Sequence, residues 1–461
     1  MFELWGQKKP TRSKLIVIVN VFLFAFAIQF GPIFGQDNEM ADKVDDWTSF
    51  LGTKRDGKSS VSGILKDWSG GQLKIAWEQE IGRGYVIGAV KGNRFFQFDA
   101  LDQTCRLICR DTSTGSEIWT FDYEFEYKDM FKFDSGPRAT PVIDDGRVYI
   151  YGVEGMLHCL NAESGEVIWK HDASKEYGVV QNFFGVGSTP IVADDKLIVM
   201  VGGSPAESQQ FSGKDLASVK PNGSAVVIFD KKTGEELHRL GDDLASYSSI
   251  NTYNSNGQTY GVAWLRANAI GFDVRSGEEL WKYPYRARRY ETVNASTPVI
   301  DGTRIFLCES YGPGSLLLEV GDGKPEVVWN DTNPRQRALA THWNTPVLHE
   351  GHLFACHGAG PGNCEIRCVE LATGEVKWKQ RGYARSSLTY VDKHLVVMGE
   401  RGKLALVKAT ADSFELVSSY SNAAGDGLKL EYPCWAAPVI AGSKLYVRGK
   451  NRLVCLQLKP E

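Results

Sequence analysis

The chain has 461 residues, 43% of them hydrophobic and 23% charged, which is material for two or three ordinary domains or for one large all-β domain. Its 48 glycines and 12 tryptophans are high for that length and recur at turn-like spacing, a composition typical of repeated β-sheet architecture. A formal charge of −4 with no basic stripe excludes an electrostatic binder of nucleic acid.

In chain order, Lys8, Lys9, Arg12 and Lys14 precede an apolar run over residues 15–30, broken only by Asn20 and Gln29. A Gly31-Pro32 turn and a polar acidic stretch follow. Basic, apolar, turn, polar is the order of a secretory signal, so residues 1–35 are expected to direct export to the periplasm or cell envelope. Cleavage after Gly35 competes with retention of residues 15–34 as an N-terminal anchor, since that run is just long enough to span a bilayer. No cysteine precedes Cys105, which excludes a lipid-modified N-terminal cysteine. Without residues 1–35 the balance is 48 Lys and Arg against 55 Asp and Glu, a net −7. Residues 36–68 read as an N-terminal extension.

From residue 69 onward one phrase repeats. "GGQLKIAW" ends at Trp77, "RLICRDTSTGSEIW" at Trp119, "MLHCLNAESGEVIW" at Trp169 and "AVVIFDKKTGEELH" at His238. "NAIGFDVRSGEELW" ends at Trp281, "SLLLEVGDGKPEVVW" at Trp329, "EIRCVELATGEVKW" at Trp378 and a worn copy, "LALVKATADSFEL", at Leu416. Between them lie "ATPVIDDGRVYI", "STPIVADDKLIV", "STPVIDGTRIFL", "NTPVLHEGHLFA", "SSLTYVDKHLVV" and "AAPVIAGSKLYV". Each unit reads as four short strands, which is a propeller blade. The final unit has three strands and lacks a fourth, which "LKIAWEQE" supplies from the N-terminus. The prediction is an all-β, eight-bladed propeller of four-stranded antiparallel blades over residues 69–461, closed by pairing residues 73–80 with 452–458 and so leaving no open sheet edge. The glycine after Thr or Ser serves a hairpin needing positive φ, and the tryptophan is expected to pack on the neighbouring blade.

This A-x-D-x-x-T-G-x-x-x-W ladder resembles the pyrroloquinoline-quinone-type propeller repeat family over residues 46–458. The resemblance implies one of two functions. Some family members are quinone-dependent alcohol dehydrogenases, with cofactor and Ca²⁺ on the propeller axis. Others are non-catalytic, among them the propeller subunit of the bacterial outer-membrane β-barrel assembly machinery, and "CHGAGPGNCEIRCVELATGEVKW" is similar to those envelope propellers. The family's enzymes commonly set adjacent, disulfide-linked cysteines over the quinone, and this chain has nine cysteines with none adjacent. No Glu, Asn and Asp set carries over to a Ca²⁺ site, and no loop is dense enough in oxygen ligands for a hard cation. No nucleophile elbow, P-loop or H-E-x-x-H occurs, and strand alternation scatters His342, His352 and His357. The expectation is a non-catalytic exported scaffold that binds envelope proteins or peptides, with no cofactor. The alternative is a quinone-dependent dehydrogenase with pyrroloquinoline quinone and calcium.

Cys109, Cys159, Cys368 and Cys455 share one register, which other blades fill with Ile228, Gly271, Leu317 or Leu406, so they read as inward packing positions. At most one disulfide is expected, between Cys356 and Cys364 around the "HGAGPGN" loop. The long segments, beginning at Asp122, Ala173, Ser204, Tyr283 and Asn333, all fall on one face, where rigid scaffolds place binding. The residues just before each innermost strand are therefore the candidate site: Arg83, Arg138, Phe184, Tyr247, Asn294, Trp343, Arg385 and Trp435. Arg and Trp at such a mouth are suited to gripping a carboxylate or stacking on a planar group.

Overall fold

A computed structural model of the chain describes residues 45–69, 72–179, 184–208, 211, 217–287, 293–321, 324–331, 333, 335–360, 362–420 and 428–460. Residues 1–44, which include the expected secretory segment, and parts of several long loops lie outside the described residues. Among the described residues, no helix is long and apolar enough to cross a membrane.

Eight four-stranded antiparallel sheets follow one another around a propeller ring. Blade 1 runs through Ala89–Lys91, Arg94–Leu101, Thr104–Asp111 and Glu117–Glu124. The last blade takes Val439–Ala441, Lys444–Arg448 and Arg452–Gln457 from the C-terminus and Ile75–Glu80 from the N-terminus. The closing pair runs from Ile75 opposite Leu456 to Glu80 opposite Arg452, with a register shift between Ile75 and Trp77, as the missing-strand count requires.

The repeated letters have distinct physical jobs. The Asp of D-x-x-T-G caps its hairpin: Asp111 Oδ1 accepts from the backbone N–H groups of Ser113 and Thr114 and from the Thr114 hydroxyl. Asp230 does the same for Lys232 and Thr233. Those bonds favour the carboxylate and hold the pKa of both aspartates below the usual value. The glycine that follows stands at φ +72° at Gly115 and +78° at Gly234. The tryptophan of the preceding blade lies over it: a Cβ on Gly234 would meet Trp169 Cδ2 at 2.7 Å. The indole N–H then donates to the carbonyl three residues before the glycine, Trp77 to Thr112 at 2.8 Å and Trp329 to Leu371 at 2.8 Å. His238 substitutes for tryptophan with its ring still over Gly277, but its Nε2 lies 3.1 Å from the carbonyl of Arg275, two residues before the glycine rather than three.

The core is divided among the blade–blade interfaces. One cluster joins Tyr149, Cys159 and Leu157 of the second blade to Leu197, Val227 and Phe229 of the third. All nine cysteines are free and buried. Cys109, Cys159, Cys368 and Cys455 each sit directly across from their own blade's tryptophan. On the axis, the S/T-T-P phrase forms a hydrogen-bonded belt. The N–H of Thr140 donates to Thr189 Oγ1, that of Thr189 to Ser249 Oγ, that of Ser249 to Thr297 Oγ1 and that of Thr297 to Thr345 Oγ1, at 3.0–3.3 Å. Each bond links one innermost strand to the next and satisfies donors that a first strand, having no fifth partner, would otherwise bury unpaired.

The described part of the extension, residues 45–68, is threaded against the ring. Trp47 pairs with Val90 of the first blade, and Ile143 of the second donates to Thr48. Arg55 Nη2 reaches Thr252 Oγ1 of the fourth at 2.6 Å, and residues 57–59 bridge Tyr390 of the seventh. Leu65 then donates to Leu458, and Trp68 is fully buried.

Candidate functional site: an aromatic cup on the axis

The loops that enter the innermost strands surround a cavity of about 380 Å³. Six of the eight sequence-predicted positions line it: Arg138, Phe184, Tyr247, Trp343, Arg385 and Trp435. Two do not, and each has a reason. The Arg83 side chain turns outward to the Asp102 carbonyl, and Tyr85, two residues on, lines the cavity instead. Asn294 is buried in the wall, where its amide donates to the Leu265 and Arg266 carbonyls, while Val293 and Ala295 face the cavity.

The lining is aromatic. Trp343 and Trp435 are 4.7 Å apart, Tyr85 lies 5.1 Å from Trp435, and Phe184 lies 5.6 Å from Tyr247. Phe133, 63% exposed, and Tyr432, 51% exposed, carry the apolar surface out to the rim. Arg385 is held between two indoles, its guanidinium carbon 4.8 Å from the Trp343 ring and 5.2 Å from the Trp435 ring. Arg138 lies 4.9 Å from the Tyr85 ring and 5.6 Å from that of Phe184.

Both arginines are already paired with acids of the protein itself. Arg385 Nε bonds Glu400 at 2.7 Å, and that carboxylate, with a side chain 1% exposed, also accepts from the Trp435 indole at 3.2 Å. Arg138 bonds Asp129, likewise 1% exposed, at 2.6 Å. Neither carboxylate is readily displaced, because stripping a buried acid of its cation strands an uncompensated charge. The guanidiniums thus act as flat packing surfaces. His342, 2.6 Å from the Tyr311 hydroxyl, is pushed down to about 4 by burial and by the Arg385 charge, so at neutral pH it adds no positive charge.

Phe50 and Leu51 of the extension belong to its lining, alongside Thr189 and Thr345, which lead into innermost strands, and Leu388 within one. Leu51 holds a left-handed φ of +62°, a conformation that side chains other than glycine rarely adopt. Nothing periodic in residues 45–68 announces this role. The only signal is a set of isolated apolar residues, Trp47, Phe50, Leu51, Val61, Ile64 and Trp68, in an otherwise polar stretch.

The quinone of the enzyme alternative is a planar tricarboxylate, and the cup can be tested against it. The two cations in the lining are committed to Asp129 and Glu400, so the anion would meet no free positive charge among the described lining residues. Among the described residues no group of three or more His, Cys, Asp or Glu is placed to hold a metal ion. These residues do not fit the quinone and its calcium.

The capped Asp turn, the tryptophan laid on the next blade's glycine and the closure by both termini define an eight-bladed propeller of the quinone-repeat type. The chain belongs to the family described as outer membrane protein assembly factor BamB, whose profile matches residues 106–380. It is 22% identical over 313 residues to the outer membrane protein assembly factor BamB of Shewanella oneidensis, covering 58% of this chain and 73% of that protein. Among solved structures it is similar to BamB from Moraxella catarrhalis, with TM-score 0.54, 11% identity, and 84% of this chain and all of that one covered. It is also similar to the quinohemoprotein alcohol dehydrogenase of Comamonas testosteroni, with TM-score 0.61, 13% identity and coverage of 90% and 82%. At such identities the solved structures establish a shared fold.

Proposed function

We propose that this chain is a non-catalytic scaffold of the bacterial cell envelope that captures a protein or peptide partner in the axial cup, with neither quinone nor calcium as a resident cofactor. The observation that carries this reading is the charge-paired aromatic cup. Its arginines are spent on internal acids, and its rim presents Phe133 and Tyr432. Such a site suits an apolar side chain projecting from a partner's loop or chain end, because aromatic walls and a neutral interior reward burial of neutral surface. Membership of the BamB family supports an exported location and partners among envelope proteins.

The test places a photo-crosslinking residue at Phe133 and exposes the chain to envelope extracts. Crosslinked partner should be lost in a Trp343→Ala, Trp435→Ala double variant and retained in Ile118→Ala, which alters an exposed side chain on an outer strand. Equal capture by all three would refute the cup as the site. A bound chromophore and alcohol turnover on addition of quinone and calcium would replace the scaffold by the enzyme.

A further inference from the structure

Two of the nine thiols differ from the rest. The thiols of Cys356 and Cys364 face each other closely enough to interact, with Cys364 Sγ donating to the Gly360 carbonyl at 3.1 Å, whereas Cys308 bonds Thr341 Oγ1 at 3.1 Å and Cys434 donates to the Glu431 carbonyl at 3.4 Å. Cys356 closes one arm of a hairpin and Cys364 opens the other. Cys356 pairs with Ile366 and His357 with Glu365, so alternation sets Cys356 and Cys364 on one face, diagonally across the ladder's end. The connecting residues 357–363 contain Gly358, Gly360 and Gly362, and added Cβ atoms at Gly360 and Gly362 would meet nothing within 4 Å. The open space at Gly360 and Gly362 leaves room for the two sulfurs to approach. Behind it, Cys356 Sγ also reaches the Ala384 carbonyl at 3.4 Å, and Ala384, at φ +51°, is the residue that turns the chain into Arg385.

We propose that Cys356 and Cys364 form an intrachain disulfide that fixes residues 357–363 and the wall of the cup behind Arg385. The co-reactant is a disulfide of the thiol–disulfide oxidant class. One cysteine thiolate attacks a sulfur of that disulfide and expels a thiolate. The second cysteine then attacks the mixed disulfide and expels the other. The protein's two thiols give up two protons and two electrons, and the oxidant leaves as two thiols. Both cysteines are buried, so exchange happens while the hairpin is still opening and closing, before the ring is fully packed. The inference stands apart from partner capture, since it concerns only these two sulfurs.

The experiment refolds the full chain with oxidised and reduced glutathione, alkylates it in denaturant and digests it for mass spectrometry. Seven alkylated cysteines and one Cys356–Cys364 linked peptide are expected, and dithiothreitol should lower the melting temperature. A Cys356→Ala, Cys364→Ala variant should carry seven free thiols under both conditions and melt at one temperature with or without reductant. Nine free thiols after oxidative refolding would overturn the proposal. So would a bridge that instead joins any of Cys109, Cys159, Cys368 or Cys455, or a linked wild type whose melting temperature ignores dithiothreitol.

Discussion

Trp169 and Gly234 test whether the blades are held together by a ring pressed on a turn. Trp169 lies over Gly234, close to Tyr149 and Phe229, and its indole N–H reaches the Lys231 carbonyl at a long 3.4 Å. Its truncation to alanine belongs to the large-to-small class that costs about 3–5 kcal/mol. Partial exposure and the long hydrogen bond place it near the lower end, about 3 kcal/mol. Gly234→Ala attacks the same contact from the other side. It incurs about 1 kcal/mol for a side chain at positive φ, and its Cβ would stand 2.7 Å from Cδ2, 2.9 Å from Cγ and 3.0 Å from Cε3 of the ring. Relieving that clash by moving the ring adds about 1–3 kcal/mol more. In the Trp169→Ala background the clash vanishes, so the double variant should be more stable than the sum of the two changes by about 1–3 kcal/mol. Urea unfolding of the four proteins, followed by circular dichroism, measures the coupling. Additivity within about 0.5 kcal/mol would mean that the ring does not bear on the turn, and the docking argument for every blade would fail with it.

Other outcomes follow from the same structure. Truncation after Arg448 removes Arg452–Gln457, the partner of Ile75–Glu80, and should abolish the cooperative fold; a soluble fragment with an unchanged melting temperature would refute closure by both ends. His238→Trp should raise stability by about 1 kcal/mol in thermal melts by restoring an indole over Gly277, and a loss would show that the fourth blade's turn has adapted to histidine. Burial pushes the Glu154 carboxyl up to about 7, with backbone and Tyr123 hydrogen bonds opposing the shift. Its contribution is therefore intact below about 4.5 and is lost as pH rises through 7, so Glu154→Gln should be more stable than wild type by up to about 3 kcal/mol at pH 8, with no such gain at pH 4.5. His158, His342 and His357, each pushed down to about 4 mainly by burial, act in the opposite sense: their contribution is intact above about 6.5 and lost as pH falls towards 4. A pH-independent difference between wild type and Glu154→Gln would show that Glu154 does not titrate in that window.

The blades were legible because their signals are local. Asp111 and Thr114 are three residues apart and bind each other's turn, so the letters lie adjacent in the sequence. Closure was legible by counting strands. The belt of Thr140, Thr189, Ser249, Thr297 and Thr345 was visible as aligned letters, but its bonds run between residues 48–60 positions apart, and one strand start considered alone shows no partner. The extension was not legible at all. Residues 45–68 acquire their positions from surfaces of the first, second, fourth, seventh and eighth blades, and a segment shaped by so many hosts carries no period of its own.

The cup shows where a reading of the chain runs out. Position before an innermost strand was enough to place six side chains in one cavity, because the belt fixes where those strands start. It was not enough at Arg83 and Asn294, where the entering loop shifts by one or two residues and a neighbour takes the inward place. Nor could position give charge. Arg138 finds Asp129 nine residues before it and Arg385 finds Glu400 fifteen after it, spacings with no strand or helix period. An arginine facing an open mouth and an arginine already bound to a buried acid are the same letter in sequence, yet they recognise opposite ligands. The first attracts carboxylates, whereas the second presents a neutral plane between aromatic rings. Because both arginines here are paired with buried acids, the ligand proposed for the cup is an apolar anchor rather than an anion.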